Sequence, residues 1–274
     1  MSGWLEARAP AKLNLALLVG PLRPDGKHEV MTILERLSLA DTVAVRRAET
    51  TTVHGYPDDT LVAAALEAIG AAAGTGVLFE ARIEKRIPVA AGLGGGSSDA
   101  ATALRLANQL LERPLSSDEL HTCAAALGSD IPFFLREGPQ LATADGTTLA
   151  PVSLPRDYTV LLALRKGDAK ESTRAVYEAF DARRGADGFS GRRRVLEVAL
   201  ARIEEAADLA ALPRNDLASA ALAALLEERG AIRADVTGAG PLVYGLFVDR
   251  GAAERAAAAL RGVSSTWIAT PDGG

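Results

Sequence analysis

The stretch Pro88-Val89-Ala90-Ala91-Gly92-Leu93-Gly94-Gly95-Gly96-Ser97-Ser98-Asp99 holds residue types suited to gripping an anion. Gly92, Gly94, Gly95 and Gly96 lack side chains, so their amides can turn inward and approach a ligand closely. Ser97, Ser98 and Asp99 are N-cap types, and Ala101, Leu104, Leu106, Leu110 and Leu111 behind them supply the apolar positions of a helix. A glycine loop that empties into a helix N-terminus gathers free N–H groups and the positive end of a helix dipole, a setting for phosphate. Composition alone also allows a flexible turn or a helix-packing loop. The setting favours phosphate: Arg82, Lys85 and Arg86 lead in, Pro88 sets the turn, and a capped helix leads out. No Gly-Lys-Ser/Thr closes the loop, so it is not a Walker A loop. As a dinucleotide fingerprint it fails, with Ser97 in the place of the third glycine and Glu112 at a helix end rather than a strand tip.

Two other segments carry groups able to serve phosphoryl transfer. In Ala11 to Val19 the alternation puts Leu13, Leu15 and Leu17 on one strand face and Lys12, Asn14 and Ala16 on the other. Lys12 and Asn14 therefore point the same way, either to solvent from an edge strand or into a cleft as a cation and an amide. Asp130 follows the helix-ending Gly128 and precedes Ile131-Pro132-Phe133-Phe134-Leu135. It either caps the next short helix or acts as a base whose carboxylate is tuned by apolar neighbours and a nearby ammonium. His28, in a turn opened by Pro24-Asp25-Gly26, reads as a satisfied surface residue or a ligand contact. Cys123, the only cysteine, cannot form an internal disulfide and reads as a buried structural thiol in an alanine-rich helix.

The elements that must position these groups follow from periodicity. Strands are predicted over residues 30–39, 41–46 and 77–86, with a hairpin element at 51–57. Helices are predicted over 60–72, from the glycine loop to about Glu112-Arg113-Pro114, and from Ser116 to Gly128. Ser116 is the preferred cap because Glu119 stands three residues on and completes a capping box. A hairpin turning at Asp145-Gly146 precedes a boundary between Pro151 and Pro155. Beyond it come a buried strand over 159–164, helices over 172–180, 195–206, 216–228 and 252–260, and strands over 234–237, 242–248 and 266–269. The Arg- and Gly-rich stretch 181–194 reads as an exposed mobile loop. The fold class is α+β, without the strict strand–helix rhythm of a doubly wound sheet.

The 274 residues suffice for one large or two modest domains. A net charge of −5 argues against a general nucleic-acid binder, so an anionic substrate must be drawn by a local cluster. No signal peptide and no apolar run long enough to span a bilayer is evident, which makes the cytoplasm the expected location.

The loop Pro88 to Ser98 resembles the ATP loop of the galactokinase, homoserine kinase, mevalonate kinase and phosphomevalonate kinase superfamily. Three further stretches, in the same order, resemble its 4-diphosphocytidyl-2-C-methyl-D-erythritol kinase family, of the non-mevalonate isoprenoid route: Ala9-Pro-Ala-Lys-Leu-Asn-Leu, Pro24-Asp-Gly-Lys-His-Glu and Gly128-Ser-Asp-Ile-Pro-Phe-Phe-Leu. The likeness resumes at Asn215-Asp-Leu and Thr237-Gly-Ala-Gly-Pro.

The resemblance implies a two-domain small-molecule kinase fold. A ribosomal protein S5 domain 2-like domain (residues 1–153) would bind ATP and carry catalysis. A ferredoxin-like domain (154–274) would lie on the substrate side. It implies Asp130 as base or hydroxyl orienter, Lys12 as the cation that keeps it ionised, and Asn14 as a substrate positioner. It also implies ATP contacts from Lys85 and from Pro88 through Asp99, with Mg²⁺ on ligands that the sequence does not identify. His28 and Tyr177 are the implied contacts to cytosine, with Lys27 a further substrate contact that packs its stem or meets a phosphate. Three positions depart from the family pattern: Lys27 where a tyrosine gives one stacking face, Thr60 where an asparagine lies near adenine, and Ala239 where a small hydroxylic residue is common. The expected partner is a cytidyl diphosphate sugar alcohol, with no nucleic acid, no membrane, and a monomer or weak homodimer. Other readings are a superfamily kinase for a different alcohol, a catalytically silent nucleotide sensor and, weakest, a dinucleotide-dependent oxidoreductase.

Overall fold

The computed structural model describes residues 3–74, 76–167, 172–217 and 221–272. The chain forms two compact units. The first comprises the segment through Ala11 with Leu39–Val89 and Gly94–Glu137; the second comprises Lys12–Ser38, Ala90–Leu93 and everything from Gly138 on. Two long strands, β1 (Leu5–Leu22) and β2 (His28–Ala48), pair with each other and contribute to both units. Where two strands are predicted over 30–46 there is one. Ala40 and Asp41, which look like a break, are buried inside β2, because the Asp41 carboxylate is satisfied by hydrogen bonds.

In the first unit the second half of β2 pairs antiparallel with β4 (Leu78–Glu84), and β4 pairs with the short β3 (Thr52–His54). The hairpin expected at 51–57 is not formed. β3 runs parallel to β4, with Thr52 opposite Glu80 and His54 opposite Arg82, because helix α1 (Leu61–Ala72) lies between them in sequence and a helical crossover returns the chain parallel. α1 buries Val62, Ala65, Leu66 and Ile69. Its N-cap Thr60 makes no side-chain cap bond, and the Oδ1 of the preceding Asp59 accepts from Val62 N at 2.7 Å instead. Helix α2 (Gly95–Gln109) packs on α1 and ends a few residues before the predicted Glu112. Helix α3 (Ser117–Leu127) carries the expected capping box of Ser116 and Glu119. Gly128 closes it with φ 171°, extended rather than left-handed. The four-residue helix α4 (Ile131–Phe134) follows.

In the second unit the first half of β2 pairs with β5 (Gln140–Ala144), which forms a hairpin with β6 (Thr148–Pro151) through Asp145-Gly146. A separate antiparallel sheet has the order β10-β7-β9-β8, built from β7 (Thr159–Arg165), β8 (Arg233–Val236), β9 (Val243–Phe247) and β10 (Ser264–Ala269). β7 is buried on both faces, as its unbroken apolar run predicts. Leu161 and Ala163 join a core with Leu226 of α7 (Ala221–Glu228) and Ala253, Ala256 and Leu260 of α8 (Arg250–Leu260). On β9, Tyr244 is fully buried and its hydroxyl donates to Leu15 O of β1 at 3.2 Å.

Most of the stretch expected as a mobile loop is helical. Helix α5 (Thr173–Ala182) and helix α6 (Phe189–Leu200) enclose a short turn. The sequence reading missed the internal partners of its arginines: Arg192 bonds Asp216 Oδ2, Val19 O and Gly185 O. The helix predicted over 195–206 instead starts earlier and ends at Leu200, and a separate 3-10 turn, Ala206–Ala211, begins at the predicted end. Residues 218–220 of the helix predicted over 216–228 lie outside the described residues.

Candidate active site

The glycine loop is shaped by left-handed residues in alternation: Ala90 at φ 57°, Gly92 at 83° and Gly94 at 68°. At Gly92 the requirement is also steric, since a Cβ there would lie 2.5 Å from Thr237 O. Gly94 is the N-cap of α2, with no side-chain cap bond. This corrects the expectation that Ser97, Ser98 or Asp99 caps the helix. Ser97 and Ser98 lie inside its first turn and Asp99 just beyond it, and the first amides of α2 are left without a capping side chain, with the positive end of the helix dipole behind them. Ser98 and Asp99 are fully buried, and among the described residues Ser98 Oγ and Asp99 Oδ1 have no hydrogen-bond partner.

The other Asp99 oxygen is occupied. Lys85 Nζ donates to Asp99 Oδ2 at 2.7 Å and to Asp41 Oδ2 at 2.5 Å, while Asp41 Oδ1 accepts from Ile87 N at 2.8 Å and from Arg86 N. Lys85 thus bridges two fully buried carboxylates and pins the root of the glycine loop to the start of α2. Burial pushes the Asp99 carboxyl up to about 7, against the Lys85 bond, with the Asp41 charge adding to the rise. For Lys85 burial acts to lower the pKa, but the bonds to Asp41 and Asp99 outweigh it and raise the ammonium above its ordinary value. Nothing in the sequence singled out Asp41, which sits mid-strand.

Lys12 and Asn14 are both about 4% exposed, which removes the solvated-edge reading of β1. Lys12 Nζ donates to Asn14 Oδ1 at 2.5 Å, and Asn14 Nδ2 donates to Thr32 Oγ1 at 2.9 Å, which in turn donates to Ala16 O at 2.6 Å. Thr237, fully buried, accepts from Asn14 N at 3.2 Å and shares its hydroxyl proton between Asn14 Oδ1 and Gly92 O, each at 3.3 Å. Lys12 N donates to Leu93 O at 2.9 Å. The lysine, the amide, residues 92–93 of the glycine loop and the C-terminal glycine motif are therefore one network. Asn215 braces the last of these, its Nδ2 donating to Val236 O and Gly238 O. Thr237, Thr32 and Asn215 are assigned no role by the sequence. Its signals for two of them are the Asn215-Asp-Leu and Thr237-Gly-Ala-Gly-Pro stretches, and Thr32 has none.

Asp130 precedes α4 but its carboxylate makes no cap bond to that helix, so helix capping does not account for it. Around His28 two rings lie close: the His28 and Tyr177 centroids are 5.1 Å apart at 38°, and Phe180 meets the imidazole edge-on at 6.0 Å. His28 Nδ1 lies 2.9 Å from Gly20 O, and Nε2 lies 3.4 Å from Asp181 Oδ2. The Lys27 ammonium bonds Asp145 Oδ2 at 2.7 Å. The Asp145 carboxyl is held down at about 2; burial opposes this, and the bonds from Lys27 and Thr147 outweigh it. Cys123 is half-buried, and burial followed by the Glu119 charge raises its thiol, against a nucleophilic role. No helix among the described residues is long and apolar enough to cross a membrane.

Residues 60–138 match the GHMP kinases N terminal domain and residues 197–264 the GHMP kinases C terminal domain. The 4-diphosphocytidyl-2-C-methyl-D-erythritol kinase of Gloeobacter violaceus is 39% identical, over 94% of this chain and 90% of that one. The enzyme of the same name from Rhodococcus jostii is 41% identical, over 93% and 88%. A crystal structure of 4-(cytidine 5′-diphospho)-2C-methyl-D-erythritol kinase superposes with a TM-score of 0.78 at 31% identity, covering 98% of this chain and all of that one. Methanococcus jannaschii mevalonate kinase, at 12% identity and a TM-score of 0.77, shares the fold.

Proposed function

The chain belongs to the GHMP kinases, in the 4-diphosphocytidyl-2-C-methyl-D-erythritol kinase family, and from that premise we propose that this ATP-dependent kinase phosphorylates the 2-hydroxyl of 4-diphosphocytidyl-2-C-methyl-D-erythritol. The observation that carries the reading is a buried lysine locked to the glycine loop through one threonine hydroxyl. A phosphoryl-transfer enzyme needs this: little covalent help, and positive charge held where the migrating group passes.

In this mechanism the amides from Gly92 to Ser97 cradle the triphosphate. The substrate oxygen attacks the γ-phosphorus, the bond from that phosphorus to the bridging oxygen breaks, and ADP leaves. The hydroxyl proton passes to the Asp130 carboxylate. Lys12 supplies charge to the transferring group, and Asn14 fixes the direction of its ammonium. Lys85 acts on the nucleotide through the loop that it anchors. His28 and Tyr177 hold the cytosine by ring contacts, with Lys27 outside the stack on Asp145. Ser98 Oγ, a buried oxygen without a partner among the described residues, suits the Mg²⁺ that travels with ATP, a hard cation that takes oxygen ligands. When bound, that ion neutralises charge on the phosphate oxygens. The protein works in the cytoplasm as a monomer or weak homodimer.

The test is ADP release from Mg-ATP with the cytidyl diphosphate alcohol, run beside homoserine and mevalonate. Turnover on the first alone is expected, and Asp130→Asn is expected to lower kcat about 100-fold or more with ATP affinity kept. Nucleotide binding without turnover on any alcohol would defeat the reading.

A further inference from the structure

Helix α6 leaves its outer face without a role in the kinase site. Between that face and the 3-10 turn Ala206–Ala211 lies a cavity of about 550 Å³. Its walls are mainly apolar, formed by Val195, Val198, Ala199 and Ala211, with Val195 56% and Val198 44% exposed. Arg194 and Arg202 stand on its rim together with Asp208.

The arginines separate into two groups. Those around them in sequence are engaged: Arg183 with Asp216 O, Arg184 with Asp187, Arg192 with Asp216, and Arg193 with Glu197. Among the described residues, Arg194 and Arg202 make no side-chain hydrogen bond and no ion pair. Asp208 is committed elsewhere, its Oδ2 accepting from Glu204 N at 2.9 Å and Glu205 N at 3.0 Å. The groove therefore offers two uncommitted guanidiniums beside an apolar wall.

We propose that this groove binds a small amphiphilic anion, a short aliphatic chain ending in a phosphate, with the chain along Val195, Val198 and Ala211 and the head on Arg194 and Arg202. Size supports a small molecule, since ligand cavities run from about 300 to 1,000 Å³. A protein partner needs about 800 Å² on each side, more than two exposed valines and their neighbours supply. Charge favours phosphate, because a phosphate monoester carries about −1.5 to −2 at neutral pH, matching two guanidiniums that can each bind its oxygens in a fork.

The experiment is calorimetric titration of the full chain, saturated with ATP, with octyl phosphate below its micelle concentration. One site is expected, with octanol (chain alone) and inorganic phosphate (head alone) each about tenfold weaker or more. The double variant Arg194→Gln/Arg202→Gln is expected to lose about tenfold in affinity or more while keeping its melting temperature and kinase turnover. Val198→Asp is expected to abolish binding. Absence of binding, equal binding by octanol, full affinity in the double variant, or displacement of octyl phosphate by ATP would each overturn the proposal. Since the readout is binding at α6, failure here leaves the kinase reading untouched.

Discussion

Thr237→Val tests the network that joins Lys12 to the glycine loop. Valine matches threonine in shape, so the change removes a hydroxyl and little else. That hydroxyl accepts from Asn14 N at 3.2 Å and divides one proton between Asn14 Oδ1 and Gly92 O, both at 3.3 Å. All three contacts are near the long end of hydrogen-bond geometry, so the bonds themselves are weak. The greater cost comes from what is left behind: a buried Asn14 N–H with no acceptor, at about 1–3 kcal/mol. Taking about 2 kcal/mol, the melting temperature falls by about 4–8 °C for a chain of this size. Asn14 Oδ1 is also the acceptor for Lys12 Nζ, so loosening it lets the ammonium wander. We expect kcat to fall about tenfold or more, with KM for ATP nearly unchanged. Thr237→Ser keeps the hydroxyl and is expected to restore most of kcat. The assay is steady-state ADP release at 25 °C, below both transitions, beside a calorimetric melt. A valine variant with wild-type kcat, or a serine variant as slow as valine, would refute the argument that the hydroxyl aims Lys12.

Gly92→Ala is expected to abolish ATP binding in titration calorimetry, because its Cβ would sit 2.5 Å from Thr237 O at a φ of 83°; retained affinity would show that the loop can shift at little cost. Lys27→Tyr is expected to lower KM for the cytidyl substrate by adding a ring next to His28. The exposed Lys27–Asp145 pair that it removes contributes no more than about 1 kcal/mol, so the melting temperature should hardly move, and an unchanged or higher KM would end the stacking argument. Glu35 gives a pH signature. Burial, opposed by the Arg36 N bond, raises its carboxyl from 4.5 to about 7. Between those values the unfolded chain gives up a proton that the folded chain keeps, so stability falls as pH rises from about 4.5 to about 7 and is level above. Glu35→Gln is therefore expected to be more stable than the parent at pH 8 by up to about 3 kcal/mol, with the difference vanishing near pH 4. A gap that is the same at both pH values would place the effect outside this carboxyl.

What was legible in the sequence is what local chemistry decides. The glycine loop, the Ser116–Glu119 capping box, the alternation that turns Lys12 and Asn14 to one side and the unbroken apolar run of β7 all depend on residues within a few positions of each other. Tertiary structure alone decided the matters that hang on distant partners. β3 is parallel rather than a hairpin strand because α1 intervenes and a sheet edge accepts it. Residues 189–194 form part of a helix rather than a loop because Arg192 finds Asp216 and two carbonyls. Gly94, not a serine, caps α2, and Asp99 is drawn inward to Lys85, which also holds Asp41. Thr237 joins Asn14 from 223 residues away. A side chain's candidate chemistry is written in its type and spacing; which of its polar atoms are already satisfied is set by groups far along the chain, and only folding brings those groups within hydrogen-bond reach.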